Sequence, residues 1–300
     1  MTAIVYSEKY YCDIGRHVFP TEKYRLVYEM LEQNGKLSGI GIDVLEPRPA
    51  TREELALVHD DQYLDDALSA RLTPATFSSE LPVEHDVVDA FLLSTGGTLV
   101  AAEHAAATGR GINLGGGYHH AFADHAEGFC FFNDVAVAVR KLISEGKASR
   151  IAVVDCDLHQ GNGTAHIFRE DPSVFTFSIH QERNYPIKRR SDLDIGLDDG
   201  VGDDEYMQRL GDAIDRIMGE FAPDFAFYLA GADPFREDQL GALELTHEGF
   251  RRRDDMVVGA FSGAKIPLCV VLAGGYSRDV LDTVRIHYGT CVRLFEEDNK

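Results

Sequence analysis

Short apolar runs alternate along the chain with longer stretches in which apolar residues recur at helical spacing. The runs Ala3–Tyr6, Gly41–Val44, Gly111–Leu114, Arg150–Asp155, Val174–Ile179, Asp224–Leu229 and Pro267–Leu272 read as strands. Ile151–Val154 and Leu268–Leu272 are apolar without a break, the pattern of strands covered on both faces. Helical periodicity predicts helices over Thr21–Gln33, Val83–Ala107, Asp134–Glu145, Asp203–Glu220, His247–Ser262 and Ser277–Glu296. Asn34–Gly35, Thr108–Gly109 and Glu145–Gly146 supply stop signals. Strand–helix alternation of this kind predicts an α/β protein with a mainly parallel sheet between two helical layers. No repeat, low-complexity tract or linker interrupts residues 1–300, so one domain is expected.

The unusual polar residues follow the predicted strands. GGGYHH follows Gly111–Leu114, DLHQGNG follows Arg150–Asp155, GADP follows Asp224–Leu229, and GGY follows Pro267–Leu272. In open parallel sheets ligands bind beyond the carboxyl ends of the strands, so four such clusters are expected to share one pocket.

Asp155, Asp157 and His159 alternate on an extended segment and can face one way. Asp157 and His159 are candidate metal ligands, and oxygen with imidazole nitrogen suits Zn²⁺, with Fe²⁺ as the alternative. Asp233 would complete a three-ligand site with an open position. His119 and His120 can supply a group that takes a proton from water and one that protonates a leaving amine. Asp155 is a candidate partner carboxylate. Tyr276, on a Gly-flanked loop, can donate to a developing oxyanion. Each cluster alone also has a plain structural reading: an Asp–His pair in a loop, an Asp-Pro turn, surface histidines, an amphipathic tyrosine.

Together, GGGYHHAFADHAEGFCFFND, VVDCDLHQGNGTAHIF, LAGADPFREDQLG and VLAGGYSRDV resemble, in order and spacing, the motifs of histone deacetylases. The resemblance runs from IVYSEKYY to the last predicted helix. It implies a single-domain, three-layer αβα arrangement with about eight strands, the arginase/deacetylase fold. It implies zinc-dependent hydrolysis of an N-acyl amide on lysine or a lysine-like amine, with an acylated lysine peptide or a small acylated amine as partner. The zinc ligands map onto Asp157, His159 and Asp233, the paired histidines onto His119 and His120, and the catalytic phenol onto Tyr276. Asp155 matches the carboxylate behind the first histidine and Asn162 the partner of the second. An amide cannot stabilise an imidazolium as a carboxylate can, so His120 is expected to be the less basic of the pair. Gly128 and Phe129 match a substrate channel, with Tyr185 and Leu240 at its opposite wall and rim. A structural K⁺ is implied at Asp155, Asp157 and the backbone near His159, Ser178 and Ile179. Lys23 is placed below the pocket, where it would attract released carboxylate. HQGNG, the DPFREDQLG run from Asp233, and RNYP look most like the class IV branch and its bacterial relatives.

Three rival readings fare less well. A binuclear arginase-type site needs two further carboxylates where Gly161 and Phe235 stand. The glycines at 109, 111 and 115–117 do not make GxGxxG, so a dinucleotide site has little support. A non-catalytic acyl-amine sensor would not need His119, His120 and Tyr276.

Composition changes this picture modestly. With 29 Lys and Arg against 50 Asp and Glu, the net charge is −21. That disfavours nucleic acid and anionic membranes and favours cationic substrates, although acidity also simply keeps a protein soluble. The five cysteines form no CxxC pair, no apolar run reaches 18 residues, and the N-terminus lacks a signal-peptide pattern. A reduced, cytoplasmic protein is expected. The loops over 71–82 and 181–202, which would choose the acyl group and amine, carry no readable code, and the oligomeric state is open.

Overall fold

The computed structural model describes residues 1–38 and 42–297. Eight strands form one sheet: β1 (Thr2–Val5), β2 (Ile42–Leu45), β3 (Arg110–Asn113), β4 (Ile151–Asp155), β5 (Val174–Gln181), β6 (Leu193–Leu197), β7 (Phe225–Leu229) and β8 (Leu268–Val271). Their spatial order is β2-β1-β3-β8-β7-β4-β5-β6, with every neighbouring pair parallel. Of the predicted strand Gly41–Val44, Gly41 lies outside the described residues; β2 covers the rest and extends to Leu45. β6 is the strand the pattern missed. It is an edge strand, half-buried in alternation, and its DIG sequence carries neither an apolar run nor strong β propensity.

The long helices are α1 (Lys23–Gln33), α5 (His85–Thr108), α6 (Asp134–Ser144), α8 (Asp203–Arg216), α9 (His247–Gly263) and α10 (Val280–Glu296). Asn34, Gly109 and Glu145 are their expected stops, with Gly109 in the left-handed region at φ 105°. The predicted helix over Asp203–Glu220 is broken into α8 and a π turn over Ile217–Phe221. Four shorter helices were not foreseen: α2 (Arg52–Leu55), α3 (Asp61–Leu68), α4 (Pro74–Phe77) and α7 (Asn162–Phe168). They are too short for a period to emerge. Local capping builds two of them: Thr51 and Glu54 form a capping box on α2, and Thr73 and Thr76 one on α4.

α5, α6 and α7 pack together on one face of the sheet, and α1, α10, α9 and α8 form a continuous layer on the other. Right-handed crossovers force this split, because the chain moves outward across the sheet through one layer and returns through the other. The inner strands β4, β7 and β8 are buried throughout. Among the described residues, no helix is long and apolar enough to cross a membrane.

The layer of α8–α10 hides one charge. Arg253 on α9 is fully buried and pairs with Asp254 at 3.0 Å, under Phe250 and Tyr228. Its Nη1 donates to the Gly231 carbonyl at 2.5 Å, just ahead of Asp233. Asp254 also accepts from Tyr228 and Thr290. Arg253→Met leaves Asp254 without its counter-charge, and breaking a buried pair this way costs about 3–5 kcal/mol. Urea unfolding is expected to show that loss; a midpoint like that of the parent would count against the pair.

Candidate functional site

The four polar clusters sit at the carboxyl ends of β3, β8, β7 and β4, which are consecutive neighbours in the sheet. Residues as far apart in sequence as His119 and Tyr276 are therefore brought to one place by the sheet order.

Asp157 and His159 leave the end of β4, and Asp233 follows β7. One potential ligand atom from each lies within 4.8 Å of the others, and all three residues are buried. His159 Nδ1 is 3.1 Å from Asp233 Oδ2 and 3.3 Å from Asp157 Oδ1. The other carboxylate oxygens are held by backbone: Leu158 N–H donates to Asp233 Oδ1 and Gly274 N–H to Asp157 Oδ2. Glycine is needed at 274 because a Cβ there would lie 2.3 Å from Asp233 Oδ2 and 2.6 Å from Asp157 Oδ2. Burial pulls His159 down, but Asp157 and Asp233 override it and raise it to about 10. The two carboxylates thus demand a positive charge at Nδ1. The donor set and its burial fit a divalent cation, which would take the place of a proton at Nδ1.

His119 and His120 stand beside this triad. His119 Nδ1 lies 2.7 Å from Asp155 Oδ2, His120 Nδ1 lies 2.8 Å from Asn162 Oδ1, and the two Nε2 atoms are 3.1 Å apart. Burial lowers His119, but Asp155 and Asp157 outweigh it and raise it to about 9. His120 is driven well below its ordinary value, first by burial and then by His119 and His159. His120 is thus the less basic of the two, and the cause is burial with the neighbouring imidazoles; the bond to Asn162 acts the other way and is outweighed.

Tyr276 completes the wall, its ring centroid 6.4 Å from that of His159. Its backbone is fixed independently of its phenol: Tyr276 N–H donates to Asp238 Oδ2, and its carbonyl accepts from Gln239. Burial, then Asp233 and Asp157, push the phenol well above its usual range, so it remains a donor. Asp238, which no motif announced, also accepts from Leu240 N–H and so clasps the two sides of the opening together. Burial and Asp233 raise its carboxyl to about 7.

Gly128, Phe129, Tyr185, Leu240 and Tyr276 line a cavity of about 260 Å³ that reaches His120 and His159. Glu80 joins them in a left-handed conformation at φ 62°. Phe129, also left-handed at φ 64°, stacks on Phe19. Behind it a compartment of about 20 Å³ is lined by Phe19, Tyr24, Gly117, His119 and Tyr276. Lys23 lies next to these walls, fully buried, with Nζ donating to the Ala273 carbonyl at 2.7 Å and facing the rings of Phe19, Tyr24 and Tyr276. Burial lowers it to about 8 against the pull of Asp233 and Asp157. Asp155 pairs in register with Ser178, and Ile179 follows on β5, so these three of the residues singled out for a monovalent cation adjoin one another. A larger, open depression of about 1010 Å³ lies near β2, lined by Tyr6, Tyr28, Glu46 and Asp86 among others. It contains none of the histidine and carboxylate constellation, part of which lines the smaller cavity.

A buried carboxylate–imidazole triad, a histidine pair and a phenol gather at the carboxyl ends of a parallel αβα sheet, and the matched family and relatives make the chain a hydrolytic deacetylase. The chain belongs to the histone deacetylase family: the model of the histone deacetylase domain matches residues 17–289. It is 40% identical over 287 residues to an uncharacterized protein of Picosynechococcus sp., with 95% of each chain covered. Identity to histone deacetylase 2 of Arabidopsis thaliana is 31% over 291 residues, covering 92% of this chain and 75% of that one. A probable deacetylase of Archaeoglobus fulgidus is 32% identical over 304 residues, covering 92% and 82%. Among solved structures, the HDA15 HD domain matches with a TM-score of 0.84 at 26% identity, covering 99% of this chain and 90% of the other.

Proposed function

We propose that the protein is a zinc-dependent deacylase that hydrolyses an N-acyl amide on lysine or a lysine-like amine, releasing a carboxylate and a free amine. The observation that carries this reading is the buried Asp157–His159–Asp233 cluster beside two imidazoles and a phenol. Those three residues would hold the zinc, which when bound supplies a Lewis acid for the amide carbonyl and makes water a better nucleophile near neutral pH. Asp155 and Asp157, with backbone near His159, Ser178 and Ile179, would hold K⁺ behind it.

The chain's own groups do the rest. The cavity wall of Gly128, Phe129, Tyr185 and Leu240 orients the extended amine and excludes water. His120, kept neutral by its surroundings, takes the proton of the attacking water. Tyr276 donates its phenolic proton in a hydrogen bond to the developing oxyanion. The histidine pair then protonates the departing amine. Lys23 would attract the released carboxylate.

Glu80 at the cavity wall and the net charge of −21 favour a cationic amine carrier. A compartment of about 20 Å³ beyond the phenol favours acetyl over long acyl chains. A panel of acyl-lysine peptides and acetylpolyamines, assayed with zinc-loaded enzyme, is expected to show free amine released most rapidly from an acetylated substrate. No release from any panel member would reject the assignment.

A further inference from the structure

The second histidine of the pair rests on an amide, not a carboxylate, but a carboxylate stands one step further out. Asn162 Nδ2 donates to Glu127 Oε1 at 2.7 Å, and Asn162 Oδ1 faces His120 Nδ1 at 2.8 Å. An ionised carboxylate only accepts, so it must face the amide NH₂. That orientation turns the amide oxygen toward His120. An oxygen at 2.8 Å from Nδ1 needs a proton there, which leaves the lone pair of the neutral ring on Nε2. Glu127 thereby determines, through one amide, which nitrogen of His120 is the base.

The same carboxylate reaches the channel. Tyr185 Oη donates to Glu127 Oε1 at 3.2 Å, across from the β5–β6 connection. Glu127 also closes the turn that carries Gly128 and Phe129, by reciprocal backbone bonds with Cys130. His125 lies 3.5 Å from its second oxygen and is itself paired with Asp124. A surface ion pair with His125 would need only that second oxygen. The first is committed to two groups of the site, and the side chain is partly buried.

We propose that Glu127 is a positioning residue of the hydrolysis: its carboxylate orients Asn162 so that His120 presents Nε2 to the reaction, and it holds Tyr185 in the channel wall. This rests on the reading of His120 as a proton acceptor.

The test uses the zinc-loaded protein with ¹⁵N-labelled histidine, where the two neutral tautomers have distinct nitrogen resonances. Glu127→Leu is expected to convert His120 from the Nδ1–H to a mixed or Nε2–H form. Its kcat should fall about 10-fold or more, the range seen when an orienting partner is removed, and KM should rise through the released Tyr185. Glu127→Gln keeps an acceptor for both groups and is expected to restore the tautomer and recover kcat to within about 3-fold. In an Asn162→Leu background, Glu127→Leu should lower kcat no further while still raising KM. Glu127→Ala serves the same comparison where the leucine variant does not fold. An unchanged His120 tautomer with kcat near that of the parent in Glu127→Leu or Glu127→Ala overturns the proposal. His120→Ala separates the two levels. If it retains turnover, the proton-acceptor reading itself falls; if it is inactive while the Glu127 variants are normal, only the role of Glu127 does.

Discussion

Asp233→Asn is expected to lose stoichiometric metal and to lower kcat/KM by about 10³-fold, a loss of ~4 kcal/mol of transition-state stabilisation of the kind a Lewis acid provides. The substitution is isosteric, and the amide oxygen can still accept from Leu158 N–H, so folding should be preserved. What changes is charge. Asp157 and Asp233 together raise His159 to about 10, and removing one of them removes much of the demand for a cation. Chelator should abolish turnover of the parent, and added zinc should return it. Metal analysis and steady-state kinetics on the same preparations decide the matter. An Asp233→Asn protein with a full complement of metal and parental kinetics would mean that this carboxylate is not a ligand.

Tyr276→Phe is expected to lower kcat about 100-fold or more while leaving metal content and KM nearly unchanged. An oxyanion donor acts on the transition state and contributes little to ground-state binding, and removal of one such donor commonly costs about 10²–10³ in kcat. The prediction is sharp because the ring's backbone is held by Asp238 and Gln239, whose bonds do not involve the phenol. The aromatic packing on Phe129 and Phe19 is also open to a phenylalanine. Turnover close to that of the parent would remove the phenol from the chemistry.

Much of this was legible in the sequence, for identifiable reasons. The strands that carry the site are apolar runs punctuated by glycine and charge, and both signals are local. Asp157, His159 and Asp233 stood out because carboxylate and imidazole are unusual just beyond buried strands. The sheet order was not legible: nothing local says that β8 and β7 insert between β3 and β4. β6 was invisible because an edge strand needs only one buried face, and Asp194, its second residue, is spoken for by Ser191 and Gln160. Glu80, Glu127 and Asp238 were passed over for a related reason. A lone acidic residue in an acidic chain carries no pattern, and its role appears only when another segment folds against it. Asp238, for example, gains its meaning from Tyr276, 38 positions later in the sequence.

The placement of the proposed reacting groups at the ends of four adjacent inner strands has an evolutionary corollary. Those strands are clamped by neighbours on each side and helices above and below, so the chemistry inherits the stiffness of the sheet. The walls at Glu80, Tyr185 and Leu240 hang from connecting segments outside it. Substrate preference can therefore drift by exchange of these wall residues while the hydrolytic apparatus stays in register, and mutations in the two sets should combine additively where they share no partner.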